Sequence, residues 1–168
     1  IVWLVSGMSP FTFIKRILQP LFTALLTSSS ATTLPVSMIA AEKELGVDRA
    51  KASFILPLGA TANMDGTALF EGIAAIYLAY MFGIDLGSTE IITVFLISML
   101  SSIGAPGMPS GSMAGMQLVL LAVGIPLEAF ALLLLIERPL DTFRTAVNVE
   151  GDLAGCLVVE HFMTGDEK

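Results

Sequence analysis

The chain has 168 residues, 55% of them hydrophobic and only 14% charged, with a formal charge of −7. Its mean hydropathy of +0.84 is too apolar for an ordinary soluble domain, in which about 45–50% apolar residues is usual, and predicts a polytopic membrane protein. No basic patch offers a nucleic-acid partner. The single cysteine, Cys156, allows no internal disulfide and no metal motif, and reads as packing.

Residues 1–10 open in the middle of an apolar run, Ile1-Val-Trp-Leu-Val, with no Met and no signal-peptide n-region. They read as the end of a preceding transmembrane helix in a longer protein. Within residues 11–48, the apolar stretch 17–41 is long enough to span at about 1.5 Å per residue. Its middle is Thr27-Ser-Ser-Ser-Ala-Thr-Thr-Leu-Pro35, where hydroxyls compete for backbone bonds and Pro35 removes an amide. Lys15 and Arg16 precede it, and Lys43, Arg49 and Lys51 follow, so both ends belong on the cytoplasmic face. A re-entrant hairpin turning at the serines satisfies both facts; a single kinked spanning helix is the alternative.

Residues 49–84 read as a helix broken at Asn63-Met-Asp-Gly-Thr67, too polar for lipid and carrying a glycine where a helix can unwind. Asp85 and Glu90 then occupy a loop without Lys or Arg. Residues 88–124 repeat the hairpin pattern, because Ser101-Ser-Ile-Gly-Ala-Pro-Gly-Met-Pro-Ser-Gly-Ser112 cannot stay helical through Pro106 and Pro109. No basic residue occurs between Lys51 and Arg138, which predicts entry from the opposite face. Residues 126–160 read as one helix, starting near Ala129, and 161–168 as a cytoplasmic tail.

In that last helix Glu137, Asp141, Arg144, Asn148 and Asp152 fall within roughly 80° of arc on one face. Thr145 borders the stripe and Glu150 points away. A charge at the bilayer centre costs about 2.5 kcal/mol or more, so such residues turn inward and handle a solute or ion. Hairpin, broken helix, hairpin and polar helix, with the hairpins entering from opposite faces, make the pattern of an inverted-topology repeat in a secondary transporter. The expected fold class is therefore an all-α membrane protein with non-helical backbone lining a cavity near midplane.

The signs on the stripe narrow the solute. Arg144 is a planar fork suited to bidentate pairing with a carboxylate, and Asp141, one turn away, suits an ammonium. An α-amino dicarboxylate offers both, with a second carboxylate for Asn148 and Thr145; a plain Asp141–Arg144 ion pair is the competing structural account. Sodium prefers oxygen ligands, as hard cations do, and Asp152, Asp65, Asn63 and freed carbonyls supply them. The Ser28–Ser30 run could serve a hydrolase only with a base beside it, and His161, the one histidine, belongs at the inner end of the last helix.

Ser28-Ser-Ser-Ala-Thr-Thr-Leu-Pro35, Asn63-Met-Asp-Gly-Thr67, Ser102-Ile-Gly-Ala-Pro-Gly-Met-Pro109 and Asp141-Thr-Phe-Arg-Thr-Ala-Val-Asn-Val-Glu-Gly-Asp152 resemble the dicarboxylate/amino acid:cation symporter family of glutamate and aspartate transporters. The resemblance implies two hairpins and two helices of a transport domain that moves like an elevator, driven by sodium. A scaffold outside this chain would form a homotrimer in the plasma (cell inner) membrane. It implies that Arg144, assisted by Thr67, holds the substrate's side-chain carboxylate and Asp141 its amino group. Thr145 and Asn148 would lie near the amino-acid end, with Ser29 or Ser30 and Met108 and Pro109 at the hairpin tips.

For sodium it implies one site from carbonyls of Gly59, Asn63 and Asn148 with the Asp152 carboxylate. A second would use backbone around Thr61, Ser102, Ile103 and Ala105, and a third Asn63, Asp65 and a helix outside this chain. Four features depart from the family pattern. The Thr-Thr pair makes the first tip's register uncertain by one residue. The extra arginine of relatives is absent, since Ser28 and Thr142 stand at its positions. Glu137 replaces the usual aspartate. Glu71, one turn after Thr67, resembles the glutamate of proton-coupled members and is a candidate proton carrier, or else a hydrogen-bonded structural group. The resemblance thus implies sodium-coupled symport of L-aspartate or L-glutamate, with a C4-dicarboxylate or neutral amino acid carrier as the alternative and no enzymatic activity.

Overall fold

The computed structural model describes residues 1–105 and 107–165, and no strand occurs among them. Short α1 (Val2–Ser6) and α2 (Pro10–Arg16) lead into α3 (Leu18–Thr27) and α4 (Ser30–Ala40), which a π-helical turn extends to Leu45. The hydroxyl run does break the helix, but at Ser28 and Ser29. Ser28 takes a left-handed backbone with φ of 49°, and Ser29 then caps α4 by accepting from the Thr32 amide. Pro35 sits inside α4 without ending it. Two helices packed on one another thus replace the single kinked helix.

α5 (Arg49–Ala62) and α6 (Asp65–Met81) meet at Asn63 and Met64, the expected break. α7 (Ser88–Ile103) and α8 (Met113–Ala122) form the second helix pair, joined by the loop that carries both prolines. The last unit is not one helix. A 3₁₀ turn and α9 (Phe130–Leu134) come first, and α10 (Glu137–Gly165) begins after a break at Leu135 and Ile136. Pro139 explains the correction: it lacks the amide that would bond to Leu135, and its ring crowds that carbonyl. α10 also runs past 160, so the first part of the expected tail is helical; residues 166–168 of that tail lie outside the described residues.

No helix among the described residues is long and apolar enough to cross a membrane. The apolar stretches are divided into helices of 5 to 17 residues, and α10, with 29, carries the charged stripe. α10 is the spine, packing against α1, α3, α4, α5 and α6. One apolar core gathers Phe13, Ile17, Leu56, Leu153 and Cys156; another gathers Leu78, Val94, Met116, Leu120 and Leu133. Residues of all three polar breaks, Ser28, Met64 and Gly107 among them, gather beside Asp141, Arg144 and Asn148 of α10. Meanwhile large apolar side chains face outward, Leu26 at 86% exposure and Tyr80 at 84%, while Glu71 is 0% exposed. Buried charged and polar side chains alongside a broad outward apolar surface depart from the pattern of a water-soluble domain.

Candidate functional site

The whole stripe is turned inward. Glu137, Asp141, Arg144, Thr145, Asn148 and Asp152 are all buried, and Glu150 is only half-buried. Arg144 is drawn to two acids on its own helix face: Nη2 donates to Asp141 Oδ1 and to Glu137 Oε1, the latter at 3.2 Å. Its guanidinium carbon lies 4.6 Å from the Phe70 ring centroid, a cation–π contact that favours the ion in an apolar setting. Its other terminal nitrogen, Nη1, is buried and has no partner among the described groups.

Asn148 acts on the broken helix. α6 starts with no side-chain cap of its own. Asn148 Oδ1 accepts from the Gly66 amide at 2.8 Å and the Thr67 amide at 3.4 Å, so the cap arrives from α10. Its Nδ2 donates to Thr67 Oγ1 and to Met64 Sδ, each at 3.3 Å. Gly66 permits the close approach: a Cβ there would run into the Arg144 carbonyl and come to 3.0 Å from Val147 Cβ.

The two loops meet each other beside this stripe. Ser29 Oγ donates to the Gly107 carbonyl at 2.8 Å, and the Ala31 amide donates to the same oxygen at 3.2 Å. Gly107 is wedged so tightly that a Cβ would stand 2.6 Å from the Ala60 carbonyl. Further along, Ser110 has a left-handed backbone with φ of 61°. Its amide donates to Asp141 Oδ2 at 3.0 Å and its hydroxyl to Glu137 Oε2 at 3.2 Å.

Of the residues expected to hold substrate, Ser30, Thr67, Met108, Asp141, Arg144, Thr145 and Asn148 line one cavity of about 20 Å³, measured as the space open to the centre of a water molecule. That is room for about one water, so the cavity is nearly closed. Ser28 lines it as well, whereas Ser29 spends its hydroxyl on the tip contact and Pro109 is exposed. The Asp141–Arg144 pair is formed, yet two residues that line the cavity each keep a buried polar atom without a partner, Arg144 at Nη1 and Ser112 at Oγ.

The expected cation donors divide into separate places. Asn63 Nδ2 donates to Asp152 Oδ1 at 3.0 Å, and a Cβ on Gly59 would lie 2.6 Å from that oxygen. These three line a recess of about 350 Å³; Asn148, expected to add its backbone carbonyl, is not among the lining residues, and its side chain is engaged at α6. Asn63 and Asp65 both approach Gly151, whose added Cβ would meet them at 2.8 and 2.7 Å. In the second proposed set Ser102 and Ala105 are buried, Ile103 and Thr61 exposed, and the Thr61 hydroxyl folds back on the Leu58 carbonyl at 2.9 Å. No cluster of three His, Cys, Asp or Glu gathers among the described residues. A cation here would draw on carbonyls and amides beside single carboxylates, which suits a hard monovalent ion.

Glu71 is fully buried between helices: Oε2 accepts from Ser101 Oγ, and Oε1, against Gly115, has no partner among the described groups. His161 is exposed and edge-on to Phe162, outside the serine-lined cavity. Sequence reasoning missed Ser110, Ser112 and Phe70. The loop serines read as turn residues, and Phe70 was visible only as one more apolar residue, though it lies one turn after Thr67.

Similarity to known proteins bears on this arrangement. The model of the sodium:dicarboxylate symporter family matches residues 1–162. Excitatory amino acid transporter 2 of Homo sapiens is 47% identical over 161 residues, covering 96% of this chain and 28% of the relative. Excitatory amino acid transporters of Onchocerca volvulus and Caenorhabditis elegans are each 42% identical over 166 residues, 99% of this chain and 34% and 33% of theirs. The chain thus spans about a third or less of the curated relatives it matches.

Proposed function

The chain belongs to the sodium:dicarboxylate symporter family, and from that premise we propose that it carries the substrate and cation sites of a sodium-coupled symporter of acidic amino acids, L-aspartate or L-glutamate. The observation that carries this reading is Arg144: a permanent cation, buried, with one nitrogen unpartnered beside a cavity where both loops, the α5–α6 break and α10 converge. An incoming carboxylate supplies the missing acceptor, and the ligand's ammonium takes over Asp141. Thr67 assists at the carboxylate, Thr145 and Asn148 lie toward the amino-acid end, and Ser29, Ser30, Met108 and Pro109 belong to the closing tips.

Charge explains why cations travel with the ligand. Counted as ionised, Glu137, Asp141 and Arg144 leave one net negative charge, and an acidic amino acid adds another. Asp152 lies two turns away. Uncompensated buried charge is expensive, so sodium at the carbonyls of Gly59, Asn63 and Asn148 with the Asp152 carboxylate favours the loaded state. Backbone around Thr61, Ser102, Ile103 and Ala105 forms a second site, and Asn63 with Asp65 contributes to a third. Glu71 is a proton carrier in this scheme.

The two helix pairs are re-entrant hairpins of an inverted repeat in the plasma (cell inner) membrane. The domain boundaries are those of the five units, 1–10, 11–48, 49–84, 88–124 and 126–160, with a cytoplasmic tail beyond. The unit moves as an elevator against a homotrimeric scaffold outside this chain. Uptake of radiolabelled L-aspartate, succinate and L-serine by the full-length protein, in sodium and in choline, tests the reading. Sodium-dependent aspartate uptake with little succinate or serine uptake is expected. Equal uptake of succinate overturns the role of Asp141, and uptake indifferent to sodium overturns the symport.

A further inference from the structure

Ser112 stands immediately before α8, where a serine ordinarily accepts a hydrogen bond from the first-turn amides. It does not do so. Its backbone carbonyl takes the Met116 amide at 3.0 Å, while its side chain makes no cap contact. Ser112 is 3% exposed, and its buried hydroxyl has no partner among the described groups. Ser112 lines the same small cavity as Arg144, whose Nη1 is likewise buried and unpartnered. Leaving a buried hydroxyl and a buried guanidinium N–H unpaired costs free energy that a ligand can recover. Both groups have a proton to donate.

We propose that Ser112 is a specificity-determining residue of the substrate site: its hydroxyl and Arg144 Nη1 donate to one and the same carboxylate of the bound amino acid. The proposal rests on the reading of the site as one for acidic amino acids and adds to it a donor from the loop before α8. A carboxylate accepts from both donors at once through its two oxygens. A side-chain amide turns an NH₂ toward one of them and leaves a donor unmet, so the pair selects acid over amide. A hydroxyl on the α7–α8 loop also makes closure of that loop sensitive to which ligand lies on Arg144.

The test is calorimetric titration of the full-length protein in sodium with L-aspartate and L-asparagine, for the wild type, Ser112→Ala and Ser112→Gly. A wild type that fails to bind L-aspartate overturns the acidic-amino-acid reading and this proposal with it, before any variant is compared. If the wild type binds, either variant should weaken L-aspartate by about tenfold and L-asparagine far less, narrowing the preference for acid over amide. The two variants act in parallel, so one that folds suffices. Unchanged L-aspartate affinity, or equal weakening of both ligands, overturns the role of Ser112 and leaves the acidic-amino-acid reading intact.

Discussion

The two helix pairs share a plan and differ in how their turns are held. Between α3 and α4 the chain reverses in two residues, and the first pair secures its own turn: Ser29 caps α4, and Thr33 Oγ1 donates to the Ser29 carbonyl at 2.8 Å. Between α7 and α8 lie nine residues; turn bonds such as the Gly111 amide to the Met108 carbonyl at 3.0 Å form within that loop, but other bonds that hold it come from elsewhere. Gly107 is held by the first pair, and Ser110 by Asp141 and Glu137 of α10. The first turn borders the cavity through Ser28 and Ser30, but the bonds that close it do not involve the charged groups there. The second loop is closed by the same carboxylates that neutralise Arg144, so a ligand drawing Arg144 or Asp141 away changes what holds the loop.

The largest test of that contrast is Arg144→Cys. Removing one member of a buried charge cluster leaves Asp141 and Glu137 uncompensated, at about 3–5 kcal/mol. L-aspartate binding should fall by at least about a hundredfold in calorimetry, with a lowered melting temperature; near-normal binding would remove Arg144 from the site. Next is Gly107→Ala, whose methyl would meet the Ala60 carbonyl at 2.6 Å and cost about 1–3 kcal/mol in overpacking. Hydrogen exchange should accelerate in 107–112 and at Ala31, whose amide bonds to Gly107, and stay slow at Ser28, Thr32 and Thr33, whose amides bond within the first pair. Equal acceleration at those three amides would show that the turns open together.

Two smaller changes sharpen the same comparison. Ser29→Ala removes a cap and the link to Gly107, about 1–2 kcal/mol, and should loosen both turns. Ser110→Ala removes only the Glu137 contact, about 1 kcal/mol, and should loosen the second alone, as exchange rates would report. Least of all, Lys51→Met breaks the 3.1 Å pair with Glu160, whose side chains are 20% and 15% exposed. A partly solvated pair is worth below about 1 kcal/mol. Substrate affinity should not move; a measurable drop would mean that the far end of α10 communicates with the loops.

Local chemistry made much of this legible in the sequence. The serine run, Asn63-Met-Asp-Gly-Thr67 and the proline-rich loop each end a helix where their residues say one should end. The inward stripe followed from spacing alone, because burial of charge in an apolar chain leaves few choices. Pro139 was visible, yet the break at 135–136 was not read from it, because a continuous apolar run looked like one helix. The role of Asn148 was hidden for a different reason: a cap supplied from 82 residues away leaves no trace in local pattern. Ser112 was hidden likewise, since a serine before a helix looks like an ordinary cap until its hydroxyl is seen to be unused.

Asn148 has a practical consequence for anyone who would re-engineer selectivity. It fastens the start of α6 while bordering the cavity, so a library randomised there will return misfolded clones that masquerade as altered recognition. Gly66 shares that constraint. Diversity is better spent at Ser30, Met108 and Ser112, which face the cavity without carrying the joint between α6 and α10.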